Sequence, residues 1–271
     1  ATKYLAGSDE ERVKDLNDAF RDPAIDAVWC LRGGYGSPRI LPFIDYEAVR
    51  RNPKPFIGYS DITAPLNALH RLTGLVTFHG PNASENLSPY SLRELKKVLY
   101  APEAAGVIAQ ADPFTPVEGQ VDKENRLRRI APGKVRGPLV GGNISVLSTL
   151  IGTPFEPEWK GRILFLEEIG EEPYRIDRYL TQFVLTGKLS QCAGIVAGKF
   201  KDCGLREGNS SMSGSWTWQQ VVADRLGNLG IPLLVGLSFG HVTDKATLPL
   251  GVMAELDVAA GTLALLGPAV R

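Results

Sequence analysis

The sequence is short of everything that marks a nucleic-acid binder, a membrane protein or a disulfide-built secreted domain. Lysine plus arginine number 30 and aspartate plus glutamate 30, so the formal net charge is zero and no basic excess is on offer to phosphates. No apolar run approaches the roughly 18 residues needed to cross a bilayer, and Ala1-Thr2-Lys3-Tyr4 shows no signal-peptide pattern. Cysteines are few and odd in number. Cys30, Cys192 and Cys203 show no C-x-x-C spacing and read as reduced core thiols in a reducing compartment. The histidines, His70, His79 and His241, form no ligand cluster, so no metal site is expected. A G-x-G-x-x-G fingerprint is missing too: counting from Gly34, the sixth position is Arg39, which argues against nucleotide binding. What is present is ordinary globular composition, 271 residues with 44% hydrophobic and 22% charged, enough for one large domain or two modest ones.

Ser8 and Glu11 form a capping box ahead of a helix that aligns Val13, Leu16 and Phe20 and ends at Asp22-Pro23. The continuous apolar run Ala27 to Leu31 predicts a strand covered on both faces. It enters a glycine-rich loop, Arg32 to Pro38, with a short helix expected from Arg39. Phe56-Ile57 predicts a second strand, running through Gly58-Tyr59-Ser60-Asp61 into a helix to about Leu72; Val76 to Phe78 predicts a third, ending at His79. This alternation argues a parallel α/β sheet. Ser91 and Glu94 suggest another capping box, for a helix to about Tyr100. The irregular, proline-bearing stretch that follows divides the chain into residues 1–100, an N-terminal α/β domain, a linker over 101–134, and a C-terminal domain over 135–271. In the last part, strands are expected over Arg162 to Leu166, Ala193 to Phe200, Pro232 to Gly236, Val252 to Leu256 and Thr262 to Leu266. Helices are expected after Asn143, from Pro173, and over Trp216 to Leu226.

Three polar residues stand just beyond apolar strands, where open α/β sheets place their sites: Ser60, Glu167 and His241. A serine on a sharp strand-to-helix turn exposes its hydroxyl beside free backbone N–H groups, as in a nucleophile elbow, although Ile62 stands where G-x-S-x-G has its second glycine. From this stretch alone Ser60 reads more readily as a helix N-cap, the commoner role. A histidine could take the serine proton while a carboxylate holds the imidazole tautomer and stabilises its cation. His79 also follows a strand and is a rival base. His70 sits late on a helix and reads as solvated. Glu167 and Glu168 also read as a solvated strand end, and the Gly33-Gly34-Tyr35-Gly36 loop is either a turn or a source of N–H groups for an oxyanion.

Arg32-Gly33-Gly34-Tyr35-Gly36, Gly58-Tyr59-Ser60-Asp61, Gly141-Gly142-Asn143, Phe165-Leu166-Glu167-Glu168 with Tyr174 to Arg178, and Gly240-His241 with Leu248 to Gly251 occur in that order. The set resembles the LD-carboxypeptidases, the serine peptidase family that includes muramoyltetrapeptide carboxypeptidase and the microcin C immunity peptidase, from about Gly7 to the C-terminus. The resemblance implies Ser60 as nucleophile, Glu167 as triad carboxylate with Glu168 as fallback, His241 as base, and an oxyanion hole from the backbone N–H groups of Gly34 and Asp61. It implies an α/β fold with a Rossmann-like parallel-sheet N-terminal domain and a smaller β-rich α+β C-terminal domain, the triad split between them. It further implies no metal or other cofactor, a cytoplasmic homodimer, and a murein tetrapeptide substrate that loses terminal D-alanine. Arg32 and Arg175 are candidates for binding a substrate carboxylate. Within the family the alternative is a microcin-type immunity peptidase; outside it, a non-catalytic ligand-binding α/β module. Family chains usually begin with a further strand, helix and strand ahead of the segment that starts here, so the chain reads as cut or processed, with an unpaired sheet edge.

Overall fold

Three short parallel strands, β1 (Val28–Trp29), β2 (Phe56–Gly58) and β3 (Thr77–His79), lie side by side in that order in the front half of the chain. The computed structural model describes residues 3–100, 102–111, 126–204 and 215–270. β2 and β3 are buried along their length. β1 is not: it spans two residues at the sheet edge, and the neighbouring Leu31 is 67% exposed. An apolar run signals a strand, but not whether anything covers it.

Helices flank this sheet. Helix α1 (Asp9–Arg21) starts at the Ser8–Glu11 capping box and buries Phe20 against Phe56, ring centroids 6.2 Å apart. The turn expected from Arg39 is a 3-10 helix, Ser37–Phe43, followed by a short helix α2 (Tyr46–Arg51) that the sequence pattern does not announce. Helix α3 (Thr63–Thr73) follows β2, and Gly74 in the left-handed region closes it. Helix α4 (Pro89–Leu99) is capped by Ser88 rather than by Ser91: the Ser91 N–H donates to Ser88 Oγ at 3.1 Å, and Pro89 takes the first helical position.

The second sheet has eight strands, in the order β4 (Gly106–Ile108), β12 (Thr262–Leu265), β11 (Met253–Asp257), β6 (Lys134–Asn143), β7 (Ile163–Ile169), β8 (Gly194–Lys201), β9 (Leu233–Val235) and β5 (Arg128–Ala131). Its centre, β6 to β9, is parallel. The apolar runs Ile163 to Leu166, Ile195 to Ala197 and Leu233 to Val235 are buried throughout, as strands covered on both faces require. Helices α5 (Ile144–Ser148), α6 (Pro173–Leu185) and α7 (Trp218–Leu226) connect and cover them. Here the segment expected as a linker behaves differently. β4 and β5 both fall within 101–134 and form the two outer strands of this sheet, while residues 112–125, with Pro113 and Pro116, lie outside the described residues. In the other direction, β10 (Leu248–Leu250) leaves the C-terminal stretch and pairs antiparallel with β3 in the first sheet.

The halves meet where α3 seats on the end of β6. The Asn143 N–H donates to Thr63 Oγ1 (3.0 Å) and Asn67 Nδ2 to the Gly141 carbonyl (2.9 Å). A Cβ on Gly142 would fall 2.5 Å from the Thr63 side chain, so this approach needs glycine. The three cysteines are unpaired thiols. No helix among the described residues is long and apolar enough to cross a membrane.

Candidate active site

The turn after β2 is strained. Ser60 adopts φ 66°, a left-handed conformation that costs a non-glycine residue about 1–3 kcal/mol and collects at functional sites. Ser60 opens a 3-10 turn, Ser60–Ile62, and the residue preceding α3 is Ile62, which makes no side-chain cap. The N-cap reading of Ser60 therefore fails. Ile62 fits the elbow because of Gly58: a Cβ there would stand 2.9 Å from Ile62 Cγ2, so the isoleucine occupies the space that glycine leaves. Gly33 lies against Ser60 from the other side, its absent Cβ position 2.8 Å from Ser60 Cβ and 3.1 Å from Ser60 Oγ. The Gly33-Gly34 loop thus borders the serine, with Gly34 at φ 120°. Asp61 is buried; its carboxylate accepts the Ser37 N–H at 2.8 Å, and its carbonyl accepts the Ser37 hydroxyl. Burial raises its pKa, partly offset by Ser37.

Glu167 lies near the end of β7, opposite Asn143, and is fully buried. Its Oε2 lies 2.7 Å from His241 Nδ1. Burial opposes ionisation, but the facing imidazoles of His241 and His79 together outweigh it and hold the carboxyl down at about 2. An ionised carboxylate only accepts, so the proton of this bond is on Nδ1 and the His241 Nε2 keeps a lone pair, the tautomer a general base needs. The loop reaches Glu167 because Gly240 has φ 101°; a Cβ there would sit 2.9 Å from Glu167 Oε2.

Successive strand residues face opposite ways. Glu168, the fallback carboxylate, accordingly does not meet His241. It accepts from Asn143 Nδ2 (2.7 Å), the Ile169 N–H (2.9 Å) and the Ser145 N–H (2.8 Å). Burial and the neighbouring charge of Glu167 still push it up to about 7. Because that value lies above the 4.5 of a free glutamate, the folded state keeps a proton that the unfolded state has lost. Stability is expected to fall as pH rises from 4.5 to about 7, by about 3 kcal/mol, and to level off beyond. Glu168→Gln should remove that slope, as melting temperatures of the two proteins across this interval will show.

Tyr59 links the serine elbow to the histidine loop, its ring centroid 4.7 Å from that of His241. Lys245, four residues after His241 and 6% exposed, pairs with Glu85, donates to Tyr59 Oη at 3.2 Å and lies 4.6 Å from the Tyr59 ring centroid. Ser91, freed from capping, accepts the Lys245 N–H (2.9 Å) and donates to the Thr243 carbonyl (2.9 Å). Sequence reasoning missed Lys245 and Glu85, since nothing in their spacing separates a buried lysine from an exposed one. Lys245→Met leaves Glu85 without its partner and is expected to destabilise the protein by about 3 kcal/mol. Adding Glu85→Gln should recover most of this in urea denaturation.

Arg32 is exposed beside Gly34. Arg175 is held within α6, its Nε 3.1 Å from Tyr174 Oη and 3.6 Å from Glu171 Oε2. His70 is half-buried rather than solvated, Nδ1 at 3.0 Å from the Leu75 carbonyl, far along α3 from Ser60. A cavity of about 500 Å³ opens on one side of His241, lined by Lys199, Lys201, Trp218, Gln219 and Asp244 and not by Ser60.

A strained serine elbow, a glycine loop beside it and a buried Glu–His pair at the strand ends define a serine-type hydrolase built on an α/β scaffold. Residues 1–80 match the LD-carboxypeptidase N-terminal domain and residues 136–256 the LD-carboxypeptidase C-terminal domain; the chain belongs to the LD-carboxypeptidase family. It is 41% identical over 259 residues to a probable murein peptide carboxypeptidase of Bacillus subtilis (strain 168), covering 96% of this chain and 77% of that protein. Among solved structures, the muramoyltetrapeptide carboxypeptidase from Oxalobacter formigenes superposes with TM-score 0.81 at 33% identity, over 97% of this chain and 86% of that one. The microcin C7 self immunity protein MccF, in an inactive mutant apo state, superposes with TM-score 0.83 at 26% identity, over 100% of this chain and 84% of that one.

Proposed function

We propose that the protein is a serine carboxypeptidase that hydrolyses an L,D peptide bond and releases terminal D-alanine from a murein tetrapeptide. The observation that carries the reading is the 2.7 Å Glu167–His241 bond standing against the left-handed Ser60 turn through Tyr59. In the proposed reaction His241 Nε2 takes the Ser60 proton as Oγ attacks the carbonyl preceding D-alanine. Glu167 stabilises the imidazolium. The backbone N–H groups of Gly34 and Asp61 hold the oxyanion, each worth about 3 kcal/mol of transition-state stabilisation. The C–N bond then breaks, D-alanine leaves with the proton from His241, and water hydrolyses the acyl-serine by the same proton route.

Arg32 is the better placed of the two arginines for a substrate carboxylate, because Arg175 is engaged by Glu171 and Tyr174. No step of this reaction calls for a metal. A cytoplasmic homodimer completes the reading and follows the family resemblance. The similarity to MccF, solved in complex with glutamyl sulfamoyl guanosine and with aspartyl sulfamoyl adenosine, favours a second substrate, an acyl-sulfamoyl nucleoside. Incubation of one preparation with murein tetrapeptide and with an acyl-sulfamoyl adenosine decides between them: D-alanine release supports the first reading, and cleavage of the second compound alone replaces it.

A further inference from the structure

Only one oxygen of Glu167 is used by His241. The other, Oε1, is buried with no hydrogen-bond partner among the described residues. Opposite it, 3.7 Å away, stands His79 Nε2, also buried and also without a partner among those residues. An unsatisfied buried polar atom costs about 1–3 kcal/mol, so two that face each other are matched by what each lacks. The separation is longer than a hydrogen bond and too short to admit a water between them. The His79 ring is held edge-on by Phe165 (centroids 5.2 Å) and Tyr59 (6.0 Å), so its direction is set by packing.

We propose that His79 is a positioning residue for the triad carboxylate: its Nε2–H donates to Glu167 Oε1 while His241 holds Oε2, so that two imidazoles clamp one carboxylate. The inference rests on the reading of Glu167 as the triad acid. A carboxylate held at one oxygen turns freely about its last bond. Held at both, its plane is fixed, and with it the aim of His241. His79 ends β3 in the sheet that leads into Ser60, whereas Glu167 lies near the end of β7 in the other sheet. The clamp therefore sets the acid–base pair relative to the half that holds the nucleophile. A movement of well under 1 Å completes the bond.

The test compares His79→Phe, which keeps ring volume without a donor, with His79→Gln, whose amide nitrogen overlays Nε2. Both are made in wild-type and Glu167→Gln backgrounds. Two rates are read: D-alanine release, and covalent labelling of Ser60 by a fluorophosphonate. His79→Phe is expected to lower kcat and the labelling rate by about 10-fold or more with KM nearly unchanged, as removal of an orienting hydrogen bond does. His79→Gln should return most of both, and His79→Phe should add nothing once Glu167 is Gln. Equal losses in the Phe and Gln variants, or an undiminished loss on the Glu167→Gln background, overturn the proposal in favour of packing. If Phe prevents folding, His79→Asn, too short to reach Oε1, takes its place. A wild-type protein that labels but releases no D-alanine removes the substrate reading, and the labelling rates then decide His79 alone. A wild-type protein that does not label overturns both.

Discussion

Ser60→Ala is expected to abolish D-alanine release, with kcat falling by roughly 10⁵–10⁶-fold and the tetrapeptide still binding. The size follows from what is removed. Without Oγ no acyl-enzyme forms, and the Glu167–His241 pair has no proton to move. The residual rate should be that of the oxyanion donors and binding alone, and His241→Ala in the same background should lower it little further, because the groups act as a unit. The backbone supplies a second signature. Ser60 sits at φ 66°, which glycine tolerates and serine does not. Ser60→Gly should be as inactive as Ser60→Ala yet more stable than wild type by about 1 kcal/mol. A serine kept at a strained position for its hydroxyl gives that opposition; a serine of no consequence gives neither effect. Chiral quantification of released alanine and urea denaturation of the three proteins check it. A Ser60→Ala protein with near-normal turnover ends the peptidase reading.

Glu167→Gln is expected to lower kcat by about 10⁴-fold with KM little affected. An amide at this position offers His241 Nδ1 either a neutral acceptor or a donor. The second choice turns the imidazole to the tautomer that cannot take the serine proton. The same substitution reads out in stability. Glu167 has its folded pKa depressed to about 2 from 4.5. Its ionisation therefore stabilises the fold fully above pH 4.5, by about 3 kcal/mol, and this contribution is lost as pH falls from 4.5 towards 2. The stability gap between wild type and Glu167→Gln should be widest above pH 5 and shrink below 4.5, in the interval where the Glu168 contribution is complete and no longer changes with pH. Urea midpoints at successive pH values measure both. An unchanged gap down to pH 3 would mean that the carboxylate is not held by charge.

The order of strands and helices around Ser60 was legible because β2, the turn and α3 are contiguous, and a local rule describes them. Glu167 was legible as the end of a buried run. That Glu167 rather than Glu168 meets His241 came from the family resemblance alone, since alternation does not say which of the two faces the cleft. Ser91 shows the same limit more sharply. A serine three residues before a glutamate satisfies the capping rule, yet Ser88 caps α4 and Ser91 is committed to the Lys245 loop instead. Lys245, Glu85 and His79 lie far from their partners in the chain, and only packing brings them together. The 101–134 stretch misled for a compositional reason. The outer strands β4 and β5 are three and four residues long and carry no proline, so the prolines between them draw the eye while the strands do not.

The strand β10 reaches across from the C-terminal part of the chain to complete the sheet begun by β1 to β3. A ribosome making this protein releases the serine turn early, but the sheet that supports it stays one strand short until residue 250 has emerged. Closing a loop of that length is slow compared with forming a helix. The nascent front half should therefore be a poor folder alone, and the serine turn should gain its full support only once β10 has emerged.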